Sequence, residues 1–257
     1  MNDRVSVHQQ PIRSAPEHRT RAALDLICRI PVPAPRNIAD VCAGQGSMRA
    51  LLARRFPDAE IETFDLSQST GPLAEAGLDR IDRGAAGRRL SAGHKFDLIC
   101  SNGLLEIAPS LPSLLPMLVG MVADDGCLAI EFPNDLYEPS RAVMRMIAAD
   151  GPWAKTLLPI AKTRPFNETM EDLYALLSPL CAVDIWEATY LHVMESIAAI
   201  VEWMEATRLA PFLAALDEAD RRGLLNLYAE ELREAYPALP NGGVLLRSRR
   251  LFVLAQP

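Results

Sequence analysis

Cysteine is scarce in this sequence, and its few cysteines form no recognisable site. Five are spread over 257 residues, and no Cys-x-x-Cys pair occurs among them. Structural zinc sites and disulfide-rich folds both use close, repeated cysteine spacings. The sequence therefore predicts no metal site and no disulfide framework, and a reducing compartment such as the cytoplasm is expected. The five cysteines are Cys28, Cys42, Cys100, Cys127 and Cys181.

Long apolar runs and excess positive charge are absent as well. No stretch reaches the roughly 18 consecutive apolar residues that a membrane-spanning helix requires. Residues 1–21 are polar and lack the apolar centre of a signal peptide. The net charge of −7 argues against a broad nucleic-acid surface. We therefore expect no membrane and no nucleic-acid partner, and a monomer or a homodimer.

Apolar residues are plentiful, at 49% of the chain, and in the first half their pattern alternates between strand and helix periods. This alternation predicts an α/β fold with a doubly wound, mostly parallel sheet. The predicted strands are residues 36–42, 59–66, 95–102 and 126–133, the last opened by a turn at 124–126. The predicted helices are 17–30, starting at Ser14 or Pro16, then 47–56, 70–81 and 111–124.

The second half of the chain is mainly helical. Residues 138–180 and 195–240 are predicted to form helical cap insertions. A long alternating strand at 182–194 and a closing strand at 249–256 predict an antiparallel addition at one edge of the sheet. We interpret residues 1–257 as a single domain whose first 13 residues form a flexible arm.

The segment after the first strand carries a glycine loop between two acidic residues. Asp40 ends the strand, Gly44 and Gly46 follow, and Asp65 ends the next strand. Glycines allow a ligand to approach the backbone, and a carboxylate at a strand end can bind the ribose hydroxyls of a nucleotide-like cofactor. The spacing is not G-x-G-x-x-G, which disfavours a dinucleotide, and no P-loop occurs.

This loop, Asp40-Val41-Cys42-Ala43-Gly44-Gln45-Gly46, resembles the D-x-G-x-G-x-G motif of class I S-adenosylmethionine (SAM)-dependent methyltransferases. In that family the loop approaches the amino acid part of the cofactor, and the acid on the next strand binds the ribose. The resemblance implies SAM as the cofactor, and a Rossmann-like sheet. The implied cofactor-binding residues are Asp40, Cys42, Ala43, Gly44, Gly46, Asp65, Leu66, Ser101 and Asn102.

A second resemblance covers roughly residues 17–255. The segments EHRTRAALDLICRIPV, CSNGLLEIAP, GCLAIEFPNDLYEPSRAVM and EAYPALPNGGVLLRSRRLFVLA are similar, in the same order, to segments of trans-aconitate 2-methyltransferases. That family converts a small polycarboxylate to its monomethyl ester. The resemblance therefore implies methyl transfer from SAM to a carboxylate oxygen of a small molecule.

The chain departs from that family at several positions. Cys42 replaces the first glycine of the loop, Glu106-Ile107 replaces a Gln-Trp pair, and Ala210 replaces an arginine, although Arg208 is close by. The acid that reads the adenine amino group has no counterpart on an ungapped comparison. The candidate catalytic residues are Glu106, Tyr190 and His192. The candidate substrate-binding residues are Trp153, Arg208 and Arg247.

Each of these candidates also has a structural interpretation. Glu106 either faces the cationic sulfonium or is a solvated helix residue. Tyr190 and His192 alternate on one face of the predicted strand, where buried side chains bonded for structure are common. Arg247, Arg249 and Arg250 precede the last strand, and a surface charge cluster is the default for such a group, although Arg247 and Arg250 match family arginines.

Three functional hypotheses remain open on the sequence. The first is a SAM-dependent methyltransferase that acts on a small molecule, with a carboxylate oxygen as the acceptor. The second keeps SAM but transfers another carbon, through cyclisation or aminocarboxypropyl transfer, and releases methylthioadenosine. The third, motivated by the absent adenine reader, is a binding protein that has lost catalysis.

Overall fold

A computed structural model describes residues 15–42, 48–65, 94–102, 111–162 and 169–257. The element order matches the strand and helix alternation expected for an α/β fold. In chain order the described elements are α1 Ala15–Arg29, β1 Asn37–Cys42, α2 Arg49–Arg55, β2 Glu60–Asp65, β3 Phe96–Asn102, α3 Leu111–Gly120, β4 Val122–Pro133, α4 Pro139–Asp150, α5 Ala154–Lys162, α6 Met170–Leu177, β5 Ala182–Met194, α7 Ile197–Glu205, α8 Ala210–Ala214, α9 Glu218–Ala235 and β6 Val244–Gln256.

The six described strands form one sheet in the order β2-β1-β3-β4-β6-β5. β1 pairs in parallel with β2 and β3, and β3 pairs in parallel with β4. β6 then pairs antiparallel with β4. The chain thus has the doubly wound α/β sheet with an antiparallel edge that its sequence predicts, and the carboxyl ends of the four parallel strands lie along one edge.

The chain divides into two compact units. The first, here called the sheet unit, comprises Ala22–Leu136, Arg164–Tyr190 and Ser248–Pro257. The second, the helical unit, comprises Met1–Arg21, Tyr137–Thr163 and Leu191–Arg247. The helical unit takes in much of the two predicted cap insertions, and the assignment of 1–257 to a single domain stays a prediction.

Each face of the sheet unit has its own apolar core. On one face, Leu26 of α1 and Leu52 of α2 pack with Ile38 of β1. On the other face, Leu115 of α3 and Leu173 of α6 belong to a cluster with strand residues such as Val41, Ile99 and Ile130. Because strand side chains alternate between faces, these two clusters use alternate positions of the same strands.

The helical unit has a separate core, around Tyr228 of α9, Leu157 of α5 and Ile200 of α7. Side-chain caps set where two of its helices begin. The Ser196 hydroxyl accepts a hydrogen bond from Ala199 N at the start of α7, and Asp217 accepts one from Asp220 N at the start of α9. Such caps satisfy amide groups that the helix itself leaves unbonded.

The boundary between α3 and β4 differs from its prediction. The helix predicted over 111–124 ends at Gly120, and the strand predicted to begin at residue 126 begins at Val122. Lys95 Nζ donates to the carbonyl oxygens of Gly120 and Val122 at 2.7 and 3.1 Å. Val122 also pairs with Phe96 before a bulge shifts the register. Contacts from another strand, rather than local periodicity, therefore end this helix.

Gly126 in that bulge is expected to tolerate no side chain. A Cβ there would lie 2.7 Å from Val122 Cγ1 and 2.8 Å from the Asp97 carbonyl oxygen. Gly126→Ala should lower the free energy of unfolding by roughly 1–3 kcal/mol, measured by urea denaturation. Gly120→Ala is the matched control, since nothing lies within 4 Å of its Cβ, and it should raise stability by about 0.5–1 kcal/mol. Equal stability of the two variants would contradict this account.

Of the helices that the structure describes, none has the length and apolar character needed to cross a membrane.

Candidate functional site

The carboxyl ends of four neighbouring strands bring polar or reactive residues into one row. Cys42 at the end of β1 pairs with Asp65 of β2 and with Asn102 of β3, and Asn102 pairs with Glu131 of β4. Neighbouring strands are about 4.8 Å apart, so the row spans about 14 Å. The two acids and the loop strand singled out in the sequence thus meet at one edge of the sheet, where open α/β folds bind their ligands.

Buried polar side chains are concentrated at this edge. Nine polar or charged residues are buried in the described parts of the chain, and five of them lie toward the carboxyl ends of β1, β3 and β4 or on β6 beside β4. Toward the amino ends of these strands the buried residues are apolar, for example Ile38 and Leu98. Because a buried polar group requires a partner, this concentration points to a binding site. The five residues are Asp40, Ser101, Asn102, Glu131 and Arg250.

Asp40 links β1 to the start of α2. Its carboxylate is fully buried, and its Oδ1 and Oδ2 atoms accept from Met48 N at 3.3 and 3.2 Å. Met48 immediately precedes α2, so this contact holds the start of α2 against the end of β1. Asp40 therefore has a structural contact at this edge, and a role in cofactor binding stays a prediction.

Ser101 carries a buried hydroxyl that no described residue satisfies. Its Oγ has no hydrogen-bond partner among the described residues, and the residue is fully buried. Leaving such a group unbonded costs about 1–3 kcal/mol. Asn102, the next residue, is also buried at the end of β3. An unsatisfied hydroxyl at this edge is the behaviour expected of a site that a polar ligand completes.

Glu131 and Arg250 form a buried ion pair at the same edge. Arg250 Nη1 donates to Glu131 Oε1 at 2.8 Å, and the exposed fractions of the two side chains are 9% and 0%. Sequence analysis missed Glu131 as a functional candidate. The available signal was a single acid inside the apolar strand CLAIEFP, because a charged residue is rarely buried without a partner.

The chain is similar to known methyltransferases over most of its length. The family model described as "Methyltransferase domain" matches residues 16–175. The trans-aconitate 2-methyltransferase of Methylobacterium radiotolerans is 39% identical over 244 residues, which cover 93% of this chain and 94% of the relative. The corresponding Yersinia pseudotuberculosis protein is 38% identical over 92% and 93%, and that of Methylobacterium nodulans 37% identical over 93% and 94%.

The chain belongs to the trans-aconitate 2-methyltransferase family. It is therefore a SAM-dependent transferase, as its loop motif and its resemblance to this family predict. The residues present fit the cofactor: the row at the carboxyl edge has an acid at the end of β2, and Ser101 at the end of β3 has an unsatisfied hydroxyl.

The described cofactor candidates of this methyltransferase are therefore together at one edge. Asp40, Ser101 and Asn102 are buried there, and Cys42 and Asp65 occupy neighbouring positions in the strand register. Five other predicted site residues lie outside the described residues: Ala43, Gly44, Gly46, Leu66 and Glu106.

Tyr190 and His192, the described catalytic candidates, contact other protein side chains. The Tyr190 hydroxyl donates to Asp25 Oδ2 of α1 at 2.5 Å, and Tyr190 itself is buried. The ring of buried His192 lies 6.2 Å from the ring of Trp203, edge to face. These contacts fix both side chains, and a catalytic role for either residue stays a prediction.

The three predicted substrate-binding residues belong to the helical unit. Trp153 is half-buried, and its ring packs so closely on Gly223 that a Cβ there would lie 2.8 Å from Cζ2. Arg208 is half-buried and Arg247 is exposed. The interpretation of the arginine cluster as surface charge is wrong for Arg250. That residue is buried on the same face of β6 as Phe252, where its guanidinium pairs with Glu131.

The buried thiols of the methyltransferase are expected to be unreactive. Burial raises the pKa of Cys127 to about 12, and burial, followed by the Asp40 charge, raises the pKa of Cys100 well above its usual value. Since only the thiolate reacts, iodoacetamide at pH 8 should label exposed Cys28 and spare these two in the folded protein. Peptide mass spectrometry measures this, and urea-unfolded protein should label fully. Equal labelling of Cys127 and Cys28 in the folded state would refute the burial.

Proposed function

We propose that this methyltransferase esterifies one carboxylate of a small polycarboxylic acid, with trans-aconitate as the first candidate acceptor. The observation that carries the proposal is the similarity to three trans-aconitate 2-methyltransferases at 37–39% identity, over more than nine-tenths of each chain. A likeness of that extent spans both the sheet unit and the helical unit.

The chemistry makes modest demands on the protein. SAM, when bound, supplies a methyl group on a positively charged sulfur. A carboxylate is already ionised at neutral pH, because its ordinary pKa is near 4, so the chain need not supply a general base. What remains is to bind the acceptor, to align it and to exclude water, for which precise placement is the main contribution.

We assign to the site residues the roles that the sequence predicts for them. On the cofactor side, Asp40 positions the loop of Cys42, Ala43, Gly44 and Gly46, while Asp65 and Leu66 serve the nucleoside part and Ser101 and Asn102 lie at the end of β3. On the acceptor side, Trp153, Arg208 and Arg247 bind substrate, and Glu106, Tyr190 and His192 line the reacting groups. The buried polar edge of the sheet unit supports the first group.

The test is to incubate purified protein with SAM and a panel of di- and tricarboxylic acids, and to analyse the products by mass spectrometry. S-adenosylhomocysteine formed together with a monomethyl ester supports the proposal. Methylthioadenosine above its spontaneous background would instead show transfer of another carbon. No product from any acid would overturn the proposal, and no thermal shift with SAM or S-adenosylhomocysteine would favour a binding protein.

Composition supports a proposal for the cellular location and the partners of the enzyme. The net charge of −7 and the separated cysteines support a cytoplasmic enzyme of small-molecule metabolism that binds no nucleic acid. We propose a monomer or homodimer, which sedimentation velocity would distinguish, and one functional domain built from residues 1–257.

A further inference from the structure

Arg250 lies directly beyond the polar row, toward the carboxyl end of β4. In the antiparallel pairing, Glu131 lies opposite Phe252, and Pro133 lies opposite Arg250. Because alternate residues of a strand share a face, Arg250 and Phe252 point to the same side of the sheet. Phe252 belongs to the core that also contains Ile38 and Leu98. Arg250 is two strands away from Asn102, about 10 Å across the sheet.

Two of the three guanidinium nitrogens of Arg250 donate hydrogen bonds to described residues. Its Nη1 donates to Glu131 Oε1 at 2.8 Å, and its Nε donates to Ser248 Oγ at 3.3 Å. Within the described part of the chain no hydrogen bond involves Nη2, although nine-tenths of the side chain is buried. The planar group therefore retains donors for a further acceptor.

The neighbouring Arg249 contacts its partner carboxylate with two nitrogens on the same strand. Its Nε and Nη2 both donate to Glu187 Oε1, at 3.1 and 2.7 Å. Asn134 occupies the other Glu187 oxygen at 2.6 Å. Arg249 is considerably more exposed than Arg250, at 39% of its side chain. The less exposed arginine of the two thus has the fewer contacts to its partner carboxylate.

A buried ion pair is seldom explained by stability alone. Apolar residues of similar size often serve a folded core equally well, because removing two charges from water carries a large penalty. The strands around Glu131 and Arg250 are otherwise apolar, with Ala129, Ile130 and Phe252 fully or nearly fully buried. An arginine in such a place, with donors left over, is suited to recognise an anion.

We propose that Arg250 binds a carboxylate of the acceptor that is not itself methylated, and that Glu131 holds the guanidinium in position for it. This inference rests on the proposed function, since it assumes a polycarboxylate acceptor. Arg250 selects for acids with more than one carboxylate, because a monocarboxylate would leave the guanidinium without its second partner.

The experiment compares carboxylate deletions in the acceptor with substitution of Arg250. In the wild type, kcat/KM for trans-aconitate should exceed that for a dicarboxylate lacking the contacted group by about 100-fold. In Arg250→Met the two acids should react equally, because the contact is already lost, and the effect should fall on KM. Arg250→Lys should retain part of the preference, as it keeps the charge without the planar fork.

Controls separate this contact from other roles of the residue. Arg249→Met on the same strand should keep the wild-type preference between the two acids. Should Arg250→Met not fold, the double variant Glu131→Leu/Arg250→Met removes both charges and should show the same lost preference. Calorimetry with S-adenosylhomocysteine should give wild-type affinity in all of these variants.

Two results would overturn the inference. One is an equal loss on both acids in Arg250→Met, which indicates a structural role. The other is lost affinity for S-adenosylhomocysteine, which would assign the guanidinium to the carboxylate of the cofactor. Failure of the proposed function shows in the wild type alone, which would then form no ester from any acid. That result would overturn both the proposed function and the inference on Arg250.

Discussion

Asp65→Ala is expected to weaken binding of SAM and of S-adenosylhomocysteine by about 100-fold or more. Asp65 ends β2 and pairs with Cys42 of the loop strand, and we expect its carboxylate to accept from both ribose hydroxyls of the cofactor. Each hydrogen bond to a charged group contributes roughly 1.5–3 kcal/mol, so two lost bonds amount to about 3 kcal/mol, or two decades in Kd. Isothermal titration calorimetry with S-adenosylhomocysteine measures the change directly.

The control for Asp65 lies on the same strand. Glu60 is exposed at the opposite, amino end of β2, so Glu60→Gln should leave the affinity within about twofold of the wild type. Asp65→Asn should lose less than Asp65→Ala, because one acceptor oxygen remains. If Asp65→Ala binds S-adenosylhomocysteine as the wild type does, the cofactor is not bound over the end of β2.

Arg250→Met is expected to destabilise the protein by about 3–5 kcal/mol. The substitution leaves the Glu131 carboxylate without its ion-pair partner at a position where it is completely buried, and an uncompensated buried charge carries a penalty of that size. The expected result is a clear fall in Tm and in the midpoint of urea unfolding. Arg249→Met, which breaks a partly exposed pair, should change stability by less than about 1 kcal/mol.

The double variant tests the physical reason. Glu131→Leu/Arg250→Met replaces both charges with apolar groups, so it should recover most of the stability lost in the single variant. A double variant as unstable as Arg250→Met would show that the loss comes from packing rather than from the unpaired carboxylate. This comparison measures stability only, and is independent of whether Arg250 contacts a substrate.

The strands of the parallel sheet could be predicted because their signal is local. The apolar runs around Ile38, Ile61 and Ile99 are short and separated by helical patterns, and the structure has β1, β2 and β3 at those places. The predicted strand over 182–194 coincides with β5. The end of α3 could not be predicted in this way, since it depends on Lys95 and Phe96 from a preceding segment.

The sequence pointed to the acids of β1 and β2 at the carboxyl edge, but not to the ion pair of Glu131 with Arg250. Asp40 and Asp65 stand out in the sequence because each ends an apolar run, next to the glycines. Glu131 and Arg250 are 119 residues apart, and no local pattern relates them. They pair because β6 lies antiparallel beside β4. The local sequence pattern does not specify this strand order.

By itself, the sequence determined the fold class, the cofactor and the family, because each follows from short-range periodicity or from contiguous motifs. Only the tertiary structure decided which strand side chains meet, such as Glu131 with Arg250, 119 residues later. The physical reason is that strand order and register set these neighbours, and both follow from the packing of the whole sheet rather than from any one segment.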